Sequence, residues 1–149
     1  MCNTISTLHN DLRKKFNIPC PKITVTGLNP HSGEDGEFGD EEIKIIKPAV
    51  EKMQELGISV NGPIPADTAF TPKIMSKTDC YIAMYHDQGL APFKALTFGK
   101  GVNVTLGLPI IRTSVDHGTG LDIAGSNNVD SSSFFESIKL AISLAKNQY

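Results

Sequence analysis

The chain has 149 residues and a mass of 16.1 kDa, with 40% hydrophobic and 20% charged residues and a formal net charge of -2. This composition predicts a cytoplasmic, globular protein, and a chain of this size buries roughly 68–70% of its surface without disulfides. The 14 basic and 16 acidic residues nearly cancel, so nucleic acid is not expected as a partner. No apolar stretch approaches the ~20 residues of a membrane span and the N-terminus lacks a signal peptide, so no membrane partner is expected either.

Hydrophobic periodicity predicts helices that alternate with strands along the chain. The pattern predicts a helix near the N-terminus, a strand over Lys22–Thr26, and a second helix that begins at Asp40 and has one apolar face. That face consists of Ile43, Ile46, Val50 and Met53. Pro48 lies inside the pattern and is expected to kink the helix or to shift its start. The acidic stretch from Glu34 to Glu42 indicates a solvated loop that enters this helix.

The alternation continues to the C-terminus. Further strands are predicted over Ile58–Val60, Tyr81–Tyr85 and Val102–Leu106, and further helices over Thr71–Lys77 and Gln88–Phe98. A last helix shows the capping-box spacing of Ser133 and Glu136. Its apolar face consists of Phe134, Ile138, Ala141, Ile142 and Ala145. The simplest architecture is an α/β fold that forms a single unit over residues 1–149, with a mostly parallel sheet flanked by helices.

Two of the predicted strands are followed by polar loops that contain histidine. His31 follows the first strand, and His86 follows the central one beside Asp87. Ligands of open α/β sheets bind beyond the carboxyl ends of the strands, and imidazole with a neighbouring carboxylate suits a divalent metal. Asp67 follows another strand and can supply that carboxylate. The alternative is that each histidine is an ordinary surface residue, and the spacing alone favours this alternative.

Three polar residues, Lys94, Asn103 and Arg112, lie on a predicted helix, a strand and a loop. An ammonium, an amide and a guanidinium together can bind a phosphate or a carboxylate. The residues alone favour a plainer interpretation: a surface lysine, a strand asparagine and an arginine in a structural ion pair.

A glycine-rich segment extends from Asp116 to Asn128. Its glycines allow a flat ligand to approach the backbone, and its polar side chains can bind adenine and ribose. A glycine-rich turn with an Asx cap explains the same residues. Neither the Gly-x-Gly-x-x-Gly fingerprint nor a Gly-Lys-Ser/Thr phosphate loop occurs in the sequence.

Several stretches resemble the 4-hydroxythreonine-4-phosphate dehydrogenase family, which acts on the route to pyridoxal phosphate. These stretches are Gly27–Glu34, Pro63–Thr68, Met84–Leu90, Asn103–Pro109 and Ile111–Thr119. They follow the family's order from about the first helix to the last. The segment His117–Gly125 is also similar to the cofactor loop of isocitrate and isopropylmalate dehydrogenases, whose fold this family shares. The resemblance therefore implies an isocitrate/isopropylmalate dehydrogenase-like fold.

The resemblance implies a role for individual residues. His31 and His86 correspond to two of three ligands of a divalent metal, which is Zn, Mg or Co. The implied substrate contacts are Lys94, Asn103 and Arg112, and the implied catalytic residues are Lys94, Asp67 and Asp87. The cofactor is NAD or NADP, and the residues implied to bind it are His117, Gly118, Thr119, Asp122, Ile123, Ala124, Gly125 and Asn128.

The resemblance covers the C-terminal part of the family's chain. The third metal histidine and the residues for the substrate phosphate belong to the N-terminal part, so the chain alone is expected to be inactive. The family implies a homodimer with an interfacial active site. It also implies NAD-dependent, metal-dependent oxidation of 4-phosphohydroxy-L-threonine. Two alternatives remain: a dehydrogenase of threonate or erythronate phosphate, and a non-catalytic fragment.

Overall fold

The computed structural model describes residues 1–97, 100–118, 120–126 and 130–148 and alternates between helix and strand. The helices are α1 (Cys2–Lys14), α2 (Lys47–Glu55), α3 (Ala66–Ala69), α4 (Pro72–Met75), α5 (His86–Thr97) and α6 (Ser132–Gln148). The strands are β1 (Ile23–Thr26), β2 (Val60–Ile64), β3 (Cys80–Ile82), β4 (Val102–Val104) and β5 (Thr113–Val115). A 3₁₀ helix spans Leu121–Ile123, a π-helical segment spans Glu42–Ile46, and a run of turns with positive φ inside it spans Pro30–Gly36. This alternation confirms the α/β fold class.

The chain divides into two compact units, which comprise Met1–Pro92 and Phe93–Tyr149. We call them unit 1 and unit 2. The sequence predicts a single unit, and the boundary falls inside helix α5, where Pro92 lies. Among the described residues, no helix is both long and apolar enough to cross a bilayer.

Unit 1 is organised by a parallel sheet with the strand order β2–β1–β3. Ile23 of the central strand lies opposite Val60 on one side and Cys80 on the other. All four residues of β1 are buried, as expected for a strand that is covered on both faces. The parallel sheet confirms the expected topology, but β2 begins at Val60 and the predicted strand over Ile58–Val60 is therefore wrong in its bounds.

The π-helical segment and helix α2 together place the predicted apolar side in the core of unit 1, with one exception. Ile46, Val50 and Met53 are buried, whereas Ile43 is 51% exposed. Ile43 lies in the π-helical segment, whose wider turn interrupts the spacing on which the prediction rested. Pro48 occupies the first turn of α2 directly after that segment, so the expected shift of the helix start is confirmed.

Unit 2 contains an antiparallel ribbon of β4 and β5, which packs against α6. Asn103 lies opposite Ser114, and Val102 lies opposite Val115. The sequence did not predict β5, because three residues are too few for a clear alternating pattern. The antiparallel pair is therefore an addition to the mostly parallel architecture.

Helix α6 has its buried side elsewhere than the sequence predicts. Leu144, Ser133 and Ser137 are buried. The predicted face is largely open: Phe134, Ile138 and Ile142 are 56%, 41% and 52% exposed. The predicted capping box is also wrong, because Ser133 lies inside the helix and Asp130 accepts a hydrogen bond from the amide of Ser132. That bond lowers the pKa of Asp130.

Candidate active site

Three loops leave the sheet of unit 1 at one edge. Strand β1 pairs in parallel with β2 and β3, so all three strands end on the same side, and neighbouring strands lie ~4.8 Å apart. His31 lies in the loop after β1, Asp67 in the short helix after β2, and His86 at the start of α5 after β3. These three residues thus follow three adjacent strands.

A cavity of about 300 Å³ lies among these loops. All three contribute to its lining, which includes Asn29, His31, Asp67 and Tyr85. The volume is at the lower end for small-molecule sites. His31 and Asp67 therefore line one cavity. The third loop contributes Tyr85 to the lining, whereas the ring of His86 does not line the cavity.

Each histidine lies beside a carboxylate. Nδ1 of His86 is 2.7 Å from Oδ1 of Asp87, and both side chains are exposed. Nδ1 of His31 is 3.5 Å from Oε2 of Glu34. Exposed pairs of this kind contribute little to stability. A carboxylate at Nδ1 does orient an imidazole and leaves Nε2 for a ligand, as in many metal sites.

The described side chains at this edge are of the types that bind a divalent metal, but too few of them lie close together to hold one. Imidazole and carboxylate groups are suitable donors. In the described ranges, however, no three His, Cys, Asp or Glu side chains lie close enough together to hold an ion. A resident metal would need a further ligand.

Glu42 anchors the loop that carries His31. Its side chain is buried, and Oε1 accepts hydrogen bonds from the amides of Leu28 at 2.7 Å and Asn29 at 2.8 Å. Oε2 accepts a bond of 2.9 Å from Nδ2 of Asn29. Burial raises the pKa of Glu42, but the hydrogen bonds from Asn29 and Leu28 outweigh burial and hold the pKa below its ordinary value. The predicted solvated loop is therefore wrong at Glu42, because this carboxylate satisfies buried amides.

Gln88 joins two of the three loops. It is 8% exposed, and its Nε2 donates a hydrogen bond of 2.7 Å to the carbonyl oxygen of Gly27. Its Oε1 accepts bonds from the hydroxyl of Thr26 at 2.6 Å and the amide of Met84 at 2.7 Å. The end of β1 and the turn before α5 are thus held together. The sequence predicts only that Gln88 begins a helix, since nothing in the local pattern shows which side chain turns inward.

The backbone around His31 adopts a left-handed conformation. His31, Ser32, Glu34 and Asp35 all have φ between 43° and 57°. Side chains with a Cβ are disfavoured there by roughly 1–2 kcal/mol per residue. Such strain persists only where the surroundings enforce it and is concentrated at functional sites. Here the loop that presents His31 to the cavity is strained.

Replacing Glu34 with glycine is therefore expected to raise the free energy of unfolding by about 1 kcal/mol, because glycine adopts positive φ without strain. The matched control is Glu37→Gly, since Glu37 is also exposed but has a φ of -67°. This control is expected to destabilise the chain or to leave it unchanged. Urea denaturation of both variants measures the difference, and equal effects at the two positions would contradict the assignment of strain.

In unit 2, the β4–β5 ribbon aligns the predicted substrate residues. The amide of Thr105 donates to the carbonyl of Arg112 at 3.0 Å, which extends the ladder by one pair. Side chains two apart on a strand share a face, so Arg112 and Ser114 lie on one face with Asn103, which is paired with Ser114. The hydroxyl of Thr113 points the other way and donates to the carbonyl of Ser137 in α6.

Lys94 reaches the ribbon from α5. Its Nζ lies 2.9 Å from Oδ2 of Asp116, which follows β5 directly. At the other end of the ribbon, Nη1 of Arg112 donates a hydrogen bond of 2.8 Å to the hydroxyl of Thr105. The Lys94 ammonium and the Arg112 guanidinium thus lie at opposite ends of the ribbon, with Asn103 on the strand between them. The signal that sequence analysis missed is β5, which creates this alignment.

The segment predicted to bind a cofactor follows the ribbon. Nδ1 of His117 lies 2.8 Å from the carbonyl of Gly118, and Gly120 has a φ of 59° before the 3₁₀ helix Leu121–Ile123. That helix includes the backbone of Asp122 and leads to Ala124 and Gly125. The described side chains here are mostly exposed. Thr119 and Asn128 lie outside the described residues.

Residues 1–141 match the family model described as Pyridoxal phosphate biosynthetic protein PdxA. A 4-hydroxythreonine-4-phosphate dehydrogenase of Ralstonia nicotianae is 53% identical over 143 residues, which are 96% of this chain and 42% of the relative.

Two solved structures show the same fold. A 4-hydroxythreonine-4-phosphate dehydrogenase from Klebsiella pneumoniae superposes with a TM-score of 0.86 at 49% identity, over 97% of this chain and 43% of that one. A terephthalate 1,2-cis-dihydrodiol dehydrogenase from Burkholderia xenovorans LB400 superposes with a TM-score of 0.72 at 31% identity, over 95% of this chain and 45% of that one. The chain thus spans less than half of these relatives and corresponds to the C-terminal part of the curated ones.

Proposed function

The chain belongs to the family of pyridoxal phosphate biosynthetic proteins PdxA, and we propose that it supplies the C-terminal part of an NAD- and metal-dependent 4-hydroxythreonine-4-phosphate dehydrogenase. The observation that carries this proposal is the match of residues 1–141 to the PdxA family model. The placement of His31, Asp67 and His86 after three adjacent parallel strands supports it. The placement of Asn103 and Arg112 on one face of the ribbon supports it as well.

In this reaction a secondary alcohol becomes a ketone. The substrate, 4-phosphohydroxy-L-threonine, gives up a hydroxyl proton and a hydride from the adjacent carbon. The product is 2-amino-3-oxo-4-phosphooxybutanoate, a β-keto acid that loses CO₂ to give 3-amino-2-oxopropyl phosphate. A divalent metal held in part by His31 and His86 would supply Lewis-acid stabilisation of the substrate oxygen, and NAD or NADP would accept the hydride.

Unit 1 provides metal ligands in this proposal. His31 and His86 are two of them, Asp67 lines the cavity as a catalytic candidate, and Asp87 orients the imidazole of His86 as a second candidate. The 2.7 Å contact between His86 and Asp87 supports this assignment, because it leaves Nε2 of the imidazole available. The remaining ligand comes from another part of the full-length protein.

Unit 2 provides the substrate contacts. Arg112 binds an anionic group of the substrate, since a guanidinium can bind a phosphate or carboxylate with two parallel bonds. Asn103 contributes amide donors and acceptors beside it. Lys94, which forms an ion pair with Asp116, is assigned as a cation beside the reacting groups. There it would stabilise negative charge on the substrate oxygen as the hydroxyl proton leaves, or deliver a proton from Nζ to the carbon from which CO₂ departs.

The segment after the ribbon binds the dinucleotide. In the proposal, the contacts to NAD or NADP are made by His117, Gly118, Thr119, Asp122, Ile123, Ala124, Gly125 and Asn128. The exposure of Gly118, Ala124 and Gly125 supports a role in binding a flat ring. We also propose that the full-length protein is a homodimer.

The isolated chain is expected to bind NAD weakly and to turn over no substrate, because it has two of the three metal ligands. Calorimetric titration of the chain with NAD tests the first expectation, and an assay of NADH formation tests the second. A chain that is folded but binds no NAD would favour a non-catalytic fragment. Turnover by the isolated chain would contradict the requirement for ligands from elsewhere.

A further inference from the structure

We propose that Asp116 is a positioning residue that sets the place of the Lys94 ammonium. This inference deepens the proposed function, because Lys94 is the cation of the proposed site. Asp116 begins the glycine-rich segment, but the family resemblance assigns it no contact to substrate, metal or cofactor. All the contacts that support the inference lie within unit 2.

Asp116 binds the Lys94 ammonium at two points. Oδ2 of Asp116 is 2.9 Å from Nζ of Lys94, and the carbonyl oxygen of Asp116 accepts a hydrogen bond of 2.7 Å from the same Nζ. An ammonium has three donors. Two of the three are thus directed to one residue. The contact fixes the position of the charge although the lysine side chain is 51% exposed.

Asp116 is itself held in place. Its amide donates a hydrogen bond of 3.3 Å to the hydroxyl of Ser133 in α6, and Ser133 is buried. The Asp116 side chain is 22% exposed, which is less than half the value for Lys94. The lysine is the more exposed partner and the aspartate the more buried one, as a positioning role requires.

Gly101 makes room for the carboxylate. A Cβ at Gly101 would lie 2.5 Å from Oδ2 of Asp116 and 2.8 Å from the ring of Phe93. Real Cβ atoms essentially never come so close, so a side chain at this position would displace the carboxylate. The start of β4 therefore shapes the Lys94 contact without touching the lysine.

Asp116 also begins the proposed cofactor segment, since His117 follows it directly. The carbonyl of Asp116 belongs to the peptide group that joins the two residues. Any shift of this peptide on cofactor binding therefore moves an acceptor of the Lys94 ammonium. The arrangement therefore couples the position of the Lys94 ammonium to the segment that would bind NAD.

Site-resolved acylation of the 149-residue chain tests the proposal. The chain is treated briefly with an amine-acylating reagent at one pH, and mass spectrometry gives the rate at Lys94 relative to Lys139. Lys139 is a matched reference because it also forms an ion pair of 2.7 Å, with Glu136. Asp116→Asn is expected to raise the relative rate at Lys94 about threefold or more, because the ion pair is lost.

Three further variants separate positioning from a general loss of structure. Gly101→Ala keeps both charges but displaces the carboxylate, so it is also expected to raise the rate at Lys94. Asp116→Glu is expected to restore part of the protection. Glu136→Gln is expected to raise the rate at Lys139 alone. An unchanged Lys94 rate in both Asp116→Asn and Gly101→Ala would overturn the proposal.

The same acylation measurement with NAD present distinguishes a failure of the proposed function from a failure of the role proposed for Asp116. NAD is expected to change the rate at Lys94 in the wild-type chain and to have a smaller effect in Asp116→Asn. Failure of NAD to bind the chain would contradict the proposed function, while the acylation rates without NAD would still decide the role of Asp116.

Discussion

Replacing Glu42 with glutamine is expected to lower the free energy of unfolding by about 2–4 kcal/mol at neutral pH. The buried carboxylate accepts hydrogen bonds from the amides of Leu28 and Asn29 and from the Asn29 side chain. Glutamine keeps the shape but replaces one acceptor with an NH₂ group, which must then face another donor. The loop that carries His31 is therefore expected to lose its anchor. Urea denaturation measures the change.

The effect of Glu42→Gln is expected to depend on pH. The pKa of Glu42 is lowered in the folded chain, so the stabilisation by the carboxylate is fully present above the ordinary glutamate pKa. It is lost as the pH falls through the lower pKa of the folded state. The difference between wild type and variant should therefore shrink in acid.

The control for Glu42 is Glu51→Gln, an exposed position on α2, with an expected change below about 0.5 kcal/mol. Equal stability of wild type and Glu42→Gln at neutral pH would show that the hydrogen bonds of this carboxylate do not support the loop. A difference that grew in acid would contradict the direction of the pKa shift.

Replacing Lys94 with alanine is expected to reduce kcat by about 100-fold or more, because the cation that stabilises negative charge or delivers a proton is removed. The change is measured in a chimera, in which this chain replaces the C-terminal part of the Klebsiella pneumoniae enzyme that it matches. The TM-score of 0.86 over 97% of this chain supports the compatibility of the two backbones.

The control in the chimera is Lys139→Ala, which removes a lysine from a surface ion pair on α6. Its kcat and KM should equal those of the unmodified chimera. Should Lys94→Ala raise KM with kcat unchanged, Lys94 would contribute to binding alone. An unchanged kcat/KM would remove Lys94 from the reaction altogether.

The parts of the fold that could be predicted from sequence are those where one residue pattern dominates. The β-branched residues of β1 predict a strand, and the spacing of Ile46, Val50 and Met53 predicts the buried side of a helix. The structure confirms both predictions. Histidine in a loop after a strand likewise indicated the edge where the cavity lies. These signals are local, so no knowledge of distant contacts is needed to interpret them.

The remainder depends on contacts between segments that are distant in sequence. Glu42 and Gln88 look like ordinary polar helix residues until the loop after β1 folds against them. Ile43 is exposed because a π-helical segment changes the spacing. The buried side of α6 is set by the ribbon. Thr113 of the ribbon donates a hydrogen bond to the carbonyl of Ser137 in α6. None of these contacts leaves a periodic pattern in the sequence.

The most direct test of the proposed function is the rate of NADH formation by the chimera with 4-phosphohydroxy-L-threonine, compared with threonate and erythronate phosphates and with the isolated chain. The account predicts metal-dependent turnover of the phosphorylated amino acid by the chimera, slower turnover of both sugar acid phosphates, and none by the isolated chain. A folded chimera that binds NAD but oxidises the sugar acid phosphates in preference would make this chain part of a different dehydrogenase. A folded chimera that oxidises none of the three would contradict the proposed function.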